Sequence, residues 1–127
     1  MPGQDTPNVR AGGTIRPHRA VKPSTTEDNT VLECDASEAA IGVTTGSTLG
    51  FDSDNHAVDG DPVHLQPGRV LLIEAAAAIT RGATLTTDAD GKAETRNATE
   101  ISIGKALQSA GGAGEIIEFY FNPQMHT

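Results

Sequence analysis

The chain has no tryptophan, one tyrosine and three phenylalanines in 127 residues, too few large rings to fill a deep core. Leu, Ile, Val and Phe together number 25, about a fifth of the chain, the level near which disorder competes with folding. Staples or partners are therefore expected to share the work of stabilisation. A single cysteine, Cys34, excludes an internal disulfide framework and a four-cysteine zinc site. No apolar run reaches membrane-spanning length, because Val70–Ile73 is followed at once by Glu74. No charged-then-apolar leader reads as a signal peptide. Basic residues are scarce, 9 against 17 acidic ones for a net charge of −8, which argues against a surface that binds nucleic acid directly. The expectation is a soluble, non-secreted, acidic single domain.

The charge is uneven. Residues 1–29 carry Arg10, Arg16, Arg19 and Lys22 against Asp5, Glu27 and Asp28, whereas residues 30–127 carry five basic and fourteen acidic residues. Residues 1–29 also hold Pro2, Pro7, Pro17 and Pro23, which block helix and favour extended backbone. Val9, Ile15 and Val21 recur every six residues, and even spacings on an extended chain share one face. Composition alone also fits a disordered terminus; the sharper reading is an extended N-terminal arm, residues 1–29, that adds strands to a neighbour and delivers cations there. A β domain would follow from 30 to 127.

An internal repeat shapes that domain. Residues 38–57 align with 74–93, with ten of the twenty positions identical. Among the matches are Glu38/Glu74, Thr44/Thr80, Gly46/Gly82, Leu49/Leu85, Asp52/Asp88, Asp54/Asp90 and Ala57/Ala93. Chance would give about two or three. Two copies are too few for a solenoid, so the expectation is an all-β fold, a small pseudo-symmetric β-barrel or sandwich built from a duplicated β unit. Strands are predicted over 30–34, 69–73, 83–87, 100–103 and 115–121, the last closed by Pro123. The Ala-rich links (38–40 and 74–78) have the composition of a helical turn. Both Asp-x-Asp pairs fall at hairpin turns, and Gly104 marks a bulge.

Little in the chain points to chemistry. The Asp-x-Asp pairs lack the ligand spacing of a calcium loop. Asp90-Gly91-Lys92-Ala93 differs from the modified-lysine hairpin of lipoyl carriers by the intruding glycine. His18, His56, His64 and His126 are not spaced as metal ligands, and Cys34 sits in an apolar strand as a small hydrophobe. The sequon at Asn97 has no force without a secretory signal. No serine elbow or phosphate loop appears. The expectation is therefore no enzyme, no catalytic residue, no metal and no cofactor.

Residues 73–93, an apolar strand, an alanine link, a turn glycine, a short strand and the Thr-Asp-Ala-Asp-Gly-Lys-Ala hairpin, resemble the signature of tailed-bacteriophage capsid decoration, or cement, proteins. Residues 103–110 and 114–119 are similar to that family's closing strands, and the likeness covers roughly residues 31–122. The resemblance implies a structural virion protein, made in the bacterial host cytoplasm. It implies binding to the outer surface of an expanded capsid as a homotrimer that bridges major capsid protein subunits. Val9, Arg10, Ile15, Arg16, Arg19, Val21 and Lys22 are the candidate capsid contacts of the arm. Phe119, Tyr120 and Phe121 put aromatics on both faces of one strand and are the candidate subunit interface. The alternative is a virion-surface adhesion or carbohydrate-binding module, which the scarcity of aromatic platforms disfavours.

Overall fold

The computed structural model describes residues 9–45 and 57–124. Among them there is no helix, and ten strands form two five-stranded sheets, the all-β architecture expected. The first sheet holds β1 (Val9–Ala11), β2 (Ala20–Pro23), β3 (Thr30–Glu33), β4 (Gly42–Val43) and β5 (Pro62–Val63) in the order β4-β2-β3-β1-β5. The second holds β6 (Val70–Glu74), β7 (Thr84–Thr87), β8 (Ala93–Thr95), β9 (Ser102–Ala106) and β10 (Ile116–Gln124) in the order β6-β10-β9-β7-β8. That second sheet curls on itself, because Ala75 bridges Ala93 in parallel and the Ala76 amide donates to the Ala93 carbonyl at 2.8 Å.

Alanine supplies what the large aliphatics lack. Eight of the buried hydrophobic residues are alanines, whose small side chains let backbones from the two sheets approach closely. The larger core cluster gathers Leu71, Ile73, Leu85, Ile103, Ile117 and Phe119 from the second sheet with Ala20, Cys34, Ala40 and Val43 from the first. A smaller cluster of Ala11, Ile15, Val21, Val31, Ala57 and Val63 lies within the first sheet's own territory.

The N-terminal segment differs from the expected arm. Residues 9–29 supply two strands of the first sheet, β1 parallel to β3 and β2 antiparallel to it, so no domain boundary falls at residue 29. Ile15 and Val21 are fully buried in this chain's own core. The chain bends at Gly12–Gly13 and turns at Pro17–His18, so Val9, Ile15 and Val21 do not lie along one extended segment, yet all three join the same intramolecular cluster. The prolines fit this arrangement, Pro17 lying in the turn before β2 and Pro23 at that strand's end.

The repeat keeps its burial at two apolar positions but not across its length, since Thr44 is buried and its counterpart Thr80 exposed. Val43 and Ile79 are both buried at strand or bridge positions, as are Ala57 and Ala93. Yet β3, before the first copy, is an inner strand, whereas β6, before the second, is an edge. The second copy's turn is the β7–β8 hairpin, where Asp88 Oδ1 accepts from the amides of Asp90 and Lys92, each at 2.8 Å. The first copy's counterpart, residues 46–56, lies outside the described residues. The alanine link of the second copy forms a bridge at Ala75 rather than a helical turn. Pro123 does not close β10 either; it sits where the register against β9 shifts, between Phe121 and Gln124, a bulge that tolerates its missing amide. Gly104, at φ +147°, faces that strand so closely that a Cβ would fall 1.9 Å from the Tyr120 carbonyl oxygen, so only glycine fits.

Candidate functional site

Three of the four N-terminal cations are consumed inside the molecule. Arg16 forms a two-pronged pair with Glu33, Nη2 to Oε1 at 2.7 Å and Nε to Oε2 at 3.0 Å, and the hydrogen bond to Glu33 raises its pKa. Arg19 is buried, with Nη2 donating to Glu74 Oε1 at 3.2 Å and Nη1 to the Asp90 carbonyl at 3.2 Å. Glu74 Oε2 lies 3.5 Å from Lys92 Nζ. Lys22 pairs with Glu38 at 2.7 Å and Asp35 at 3.5 Å, and its hydrogen bond to Glu38 raises its pKa. Glu38 and Glu74, identical positions of the repeat, thus each hold a cation from the N-terminal segment.

Arg19 with Glu74, and Arg16 Nη2 3.7 Å from Asp90 Oδ1, form an ionic junction between the sheets. Arg16 and Arg19 lie beside β2, Glu74 ends β6, and Asp90 and Lys92 belong to the β7–β8 turn. The Ala20 amide donates to the Gly91 carbonyl at 2.8 Å, and a Cβ on Gly91 would meet the Ala20 carbonyl at 2.9 Å. The hairpin that resembled a carrier tip is therefore packed down, and its lysine is an ion-pair partner. Thr44 completes the junction, its Oγ1 donating to the Arg16 carbonyl and accepting from the Arg19 amide.

Of the N-terminal candidates, Arg10 alone is exposed, while Val9 is half-buried in β1. Arg10 lines an open concavity with Glu27, Asp28, Thr30 and Asp59. The other titratable candidates are quiet. Cys34 is fully buried, and desolvation pushes its thiol up to about 12, so a thiolate nucleophile is unavailable at neutral pH. Burial lowers the His18 pKa against the opposing pull of Glu74. His56 and His126 lie outside the described residues.

The aromatic triplet of β10 divides by strand alternation. Phe119 is fully buried and Phe121 packs against the core, their rings edge-to-face at 6.0 Å. Tyr120 points outward and is 41% exposed. It is not isolated. Val70 stands opposite it on β6 and Lys105 on β9. In the next row Leu72 and Leu107 flank Glu118, with Ile116 beyond. Five of the seven exposed large hydrophobics among the described residues occupy this outer face of the second sheet, an apolar patch interrupted by Glu118 and Lys105, of the kind that marks a protein contact. An open groove of about 520 Å³ continues the face past Tyr120 to Thr84, Lys105, Ser102 and Asn122.

A family model for phage cement proteins matches residues 8–120. The chain belongs to the phage cement protein family. The cement protein is accordingly a structural, capsid-associated protein of a bacteriophage. Its fold is similar to a solved structure described as the head fiber gp8.5 N base in bacteriophage phi29, at 19% identity and a TM-score of 0.73, covering 94% of this chain and 96% of that one. No curated protein matches.

Sequence reasoning reached Tyr120 but missed Val70, Leu72, Leu107 and Ile116 as surface residues. A signal was present: Val70-Leu71-Leu72-Ile73 is apolar at every position, so a strand there presents hydrophobic side chains to both faces. The sequence held no comparable sign that Arg19 would be buried.

Proposed function

We propose that the cement protein binds the outer surface of an expanded capsid as a homotrimer and stabilises the shell by bridging major capsid protein subunits. The observation that carries this reading is the apolar outer face of β6, β10 and β9. A chain with so modest a core has left Val70, Leu72, Leu107, Ile116 and Tyr120 in water, and covering them with protein recovers hydrophobic free energy. We assign this face to contacts between copies. Arg10 is retained as the N-terminal contact to the shell, because Arg16, Arg19 and Lys22 are already paired within the chain.

The mechanism is mechanical. A ligand that binds only the expanded arrangement stabilises that state by its binding free energy, about 2.7 kcal/mol per site at a hundredfold excess over Kd. Many copies on one lattice add these modest contributions. The acidic exterior keeps unbound copies apart in the host cytoplasm before assembly.

The test is co-sedimentation with expanded capsids lacking the protein, beside compact precursor shells. Saturable binding to the expanded shells alone supports the proposal. Failure to bind either shell, together with binding on a glycan array, would replace it with the adhesion reading.

A further inference from the structure

Strand β6 is a sheet edge, and its apolar Val70 and Leu72 make it the edge most prone to recruit another strand. The other edges are managed by ordinary means. Beyond β4, the Thr45 amide donates to the His64 carbonyl and the Gln66 amide to the Val43 carbonyl, so residues 64–66 cover it. Strand β5 has two residues and contains Pro62. Strand β8 is met by Ala76.

The backbone of β6 alternates in direction. The Arg69 carbonyl accepts from Phe121 and the Ala75 amide donates to Glu115, so residues 69, 71, 73 and 75 bond toward β10. Residues 70, 72 and 74 then aim their amides and carbonyls outward. At Leu72 both outward groups are taken by one side chain. The Leu72 amide donates to Gln66 Oε1 at 2.9 Å, and Gln66 Nε2 donates to the Leu72 carbonyl at 2.7 Å. The second hydrogen on Gln66 Nε2 is directed to the Thr44 carbonyl at 3.0 Å. Two residues further on, the Glu74 amide donates to the His18 carbonyl at 3.1 Å.

A primary amide has the same donor and acceptor pair as a peptide unit. Gln66 therefore supplies Leu72 with the two bonds that a residue of a sixth strand would supply. We infer that Gln66 is an edge guard, closing β6 to strand addition by a second copy of this chain. Its purpose follows from the chemistry of the edge. Without it, Leu72 offers an unpaired amide and carbonyl beside two exposed aliphatic side chains, and with the other edges covered, β6 of one copy can pair with β6 of another about a two-fold axis. Contact through the outer sheet face is a separate matter, since it uses side chains standing above and not beside the strand.

Hydrogen exchange on the full chain reads the guard directly. The Leu72 amide is expected to exchange at least about tenfold more slowly than the equally outward amide of Val70. In Gln66→Ala, Leu72 falls to the Val70 rate while Leu71 and Ile73 stay protected by β10. Sedimentation velocity of that variant shows an added, concentration-dependent pairing of copies, which persists in Q66A/Y120A and is absent from Y120A alone. Three results overturn the inference: a wild-type Leu72 amide as fast as that of Val70, loss of Leu72 protection in Q66A without added pairing, or added pairing that Y120A abolishes. Should Q66A not fold, Gln66→Asn, which keeps the amide but withdraws it by one methylene, takes its place, and the wild-type exchange comparison stands regardless.

Discussion

Replacing Glu74 by Gln should cost this protein more stability than any other single charge removal at the junction between its sheets. Arg19 has 7% of its side chain exposed and Glu74 has 20%. Arg19 Nε is already buried without a hydrogen-bond partner. Glu74→Gln keeps a carbonyl oxygen near Nη2 but removes the negative charge facing both Arg19 and Lys92. The buried guanidinium keeps the Asp90 carbonyl and a neutral amide oxygen as acceptors, but no opposite charge remains beside it to compensate its desolvation. Breaking a buried pair by removing one partner costs about 3–5 kcal/mol, and the partial exposure of Glu74 puts this case at the lower end, about 3 kcal/mol. For a chain of this size that corresponds to a fall in Tm of about 10–15 °C. Lys22→Met is the control, because the Lys22–Glu38 pair is more exposed, at 24% and 34%, and should be worth less than about 1 kcal/mol. Replacing both charges, Arg19→Met with Glu74→Leu, should recover more than half of the loss. Urea denaturation of the four proteins measures each step. A loss for Glu74→Gln no larger than that for Lys22→Met refutes the reasoning.

Other outcomes follow from single observations. Cys34 should resist an aromatic disulfide reagent at pH 8 in the folded protein and react at once in denaturant, since burial holds its pKa near 12. Because the folded thiol binds its proton more tightly than the unfolded one, this contribution to stability is full below about pH 9 and declines as pH rises toward 12. Cys34→Ala should remove that part of the alkaline slope in denaturation curves. Gly104→Ala should fail to reach the native fold, as judged by circular dichroism, because its Cβ would overlap the Tyr120 carbonyl. Tyr120→Ala should leave stability within about 1 kcal/mol of wild type. It should weaken association between copies, and hence binding to expanded shells, about tenfold or more in a co-sedimentation titration.

The sequence by itself determined the class of the fold and the position of its principal strands. The β-branched and aliphatic runs at 30–34, 69–73 and 115–121 became β3, β6 and β10 because such residues suit a pleated, half-buried surface wherever it forms. The Asp-x-Asp-Gly hairpin was a local property too, set by turn geometry, whereas the need for glycine at position 104 comes from the approach of Tyr120 on β10. Family resemblance was legible in the same segments.

What the sequence did not decide was partnership. Ile15 and Val21 face a core that belongs to their own chain, and Arg16, Arg19 and Lys22 meet carboxylates 13 to 74 residues away. A spacing of six marks apolar positions, but the bend and turn between them and the surface they cover are set only by the fold. The same holds for Phe119 and Tyr120, adjacent in sequence and opposite in exposure, and for Gln66, whose role exists only because folding lays it beside the edge of β6. Local propensity acts over a few residues, whereas ion pairs, sheet edges and exposed patches are made by contacts between distant segments, and these the tertiary structure alone brings together.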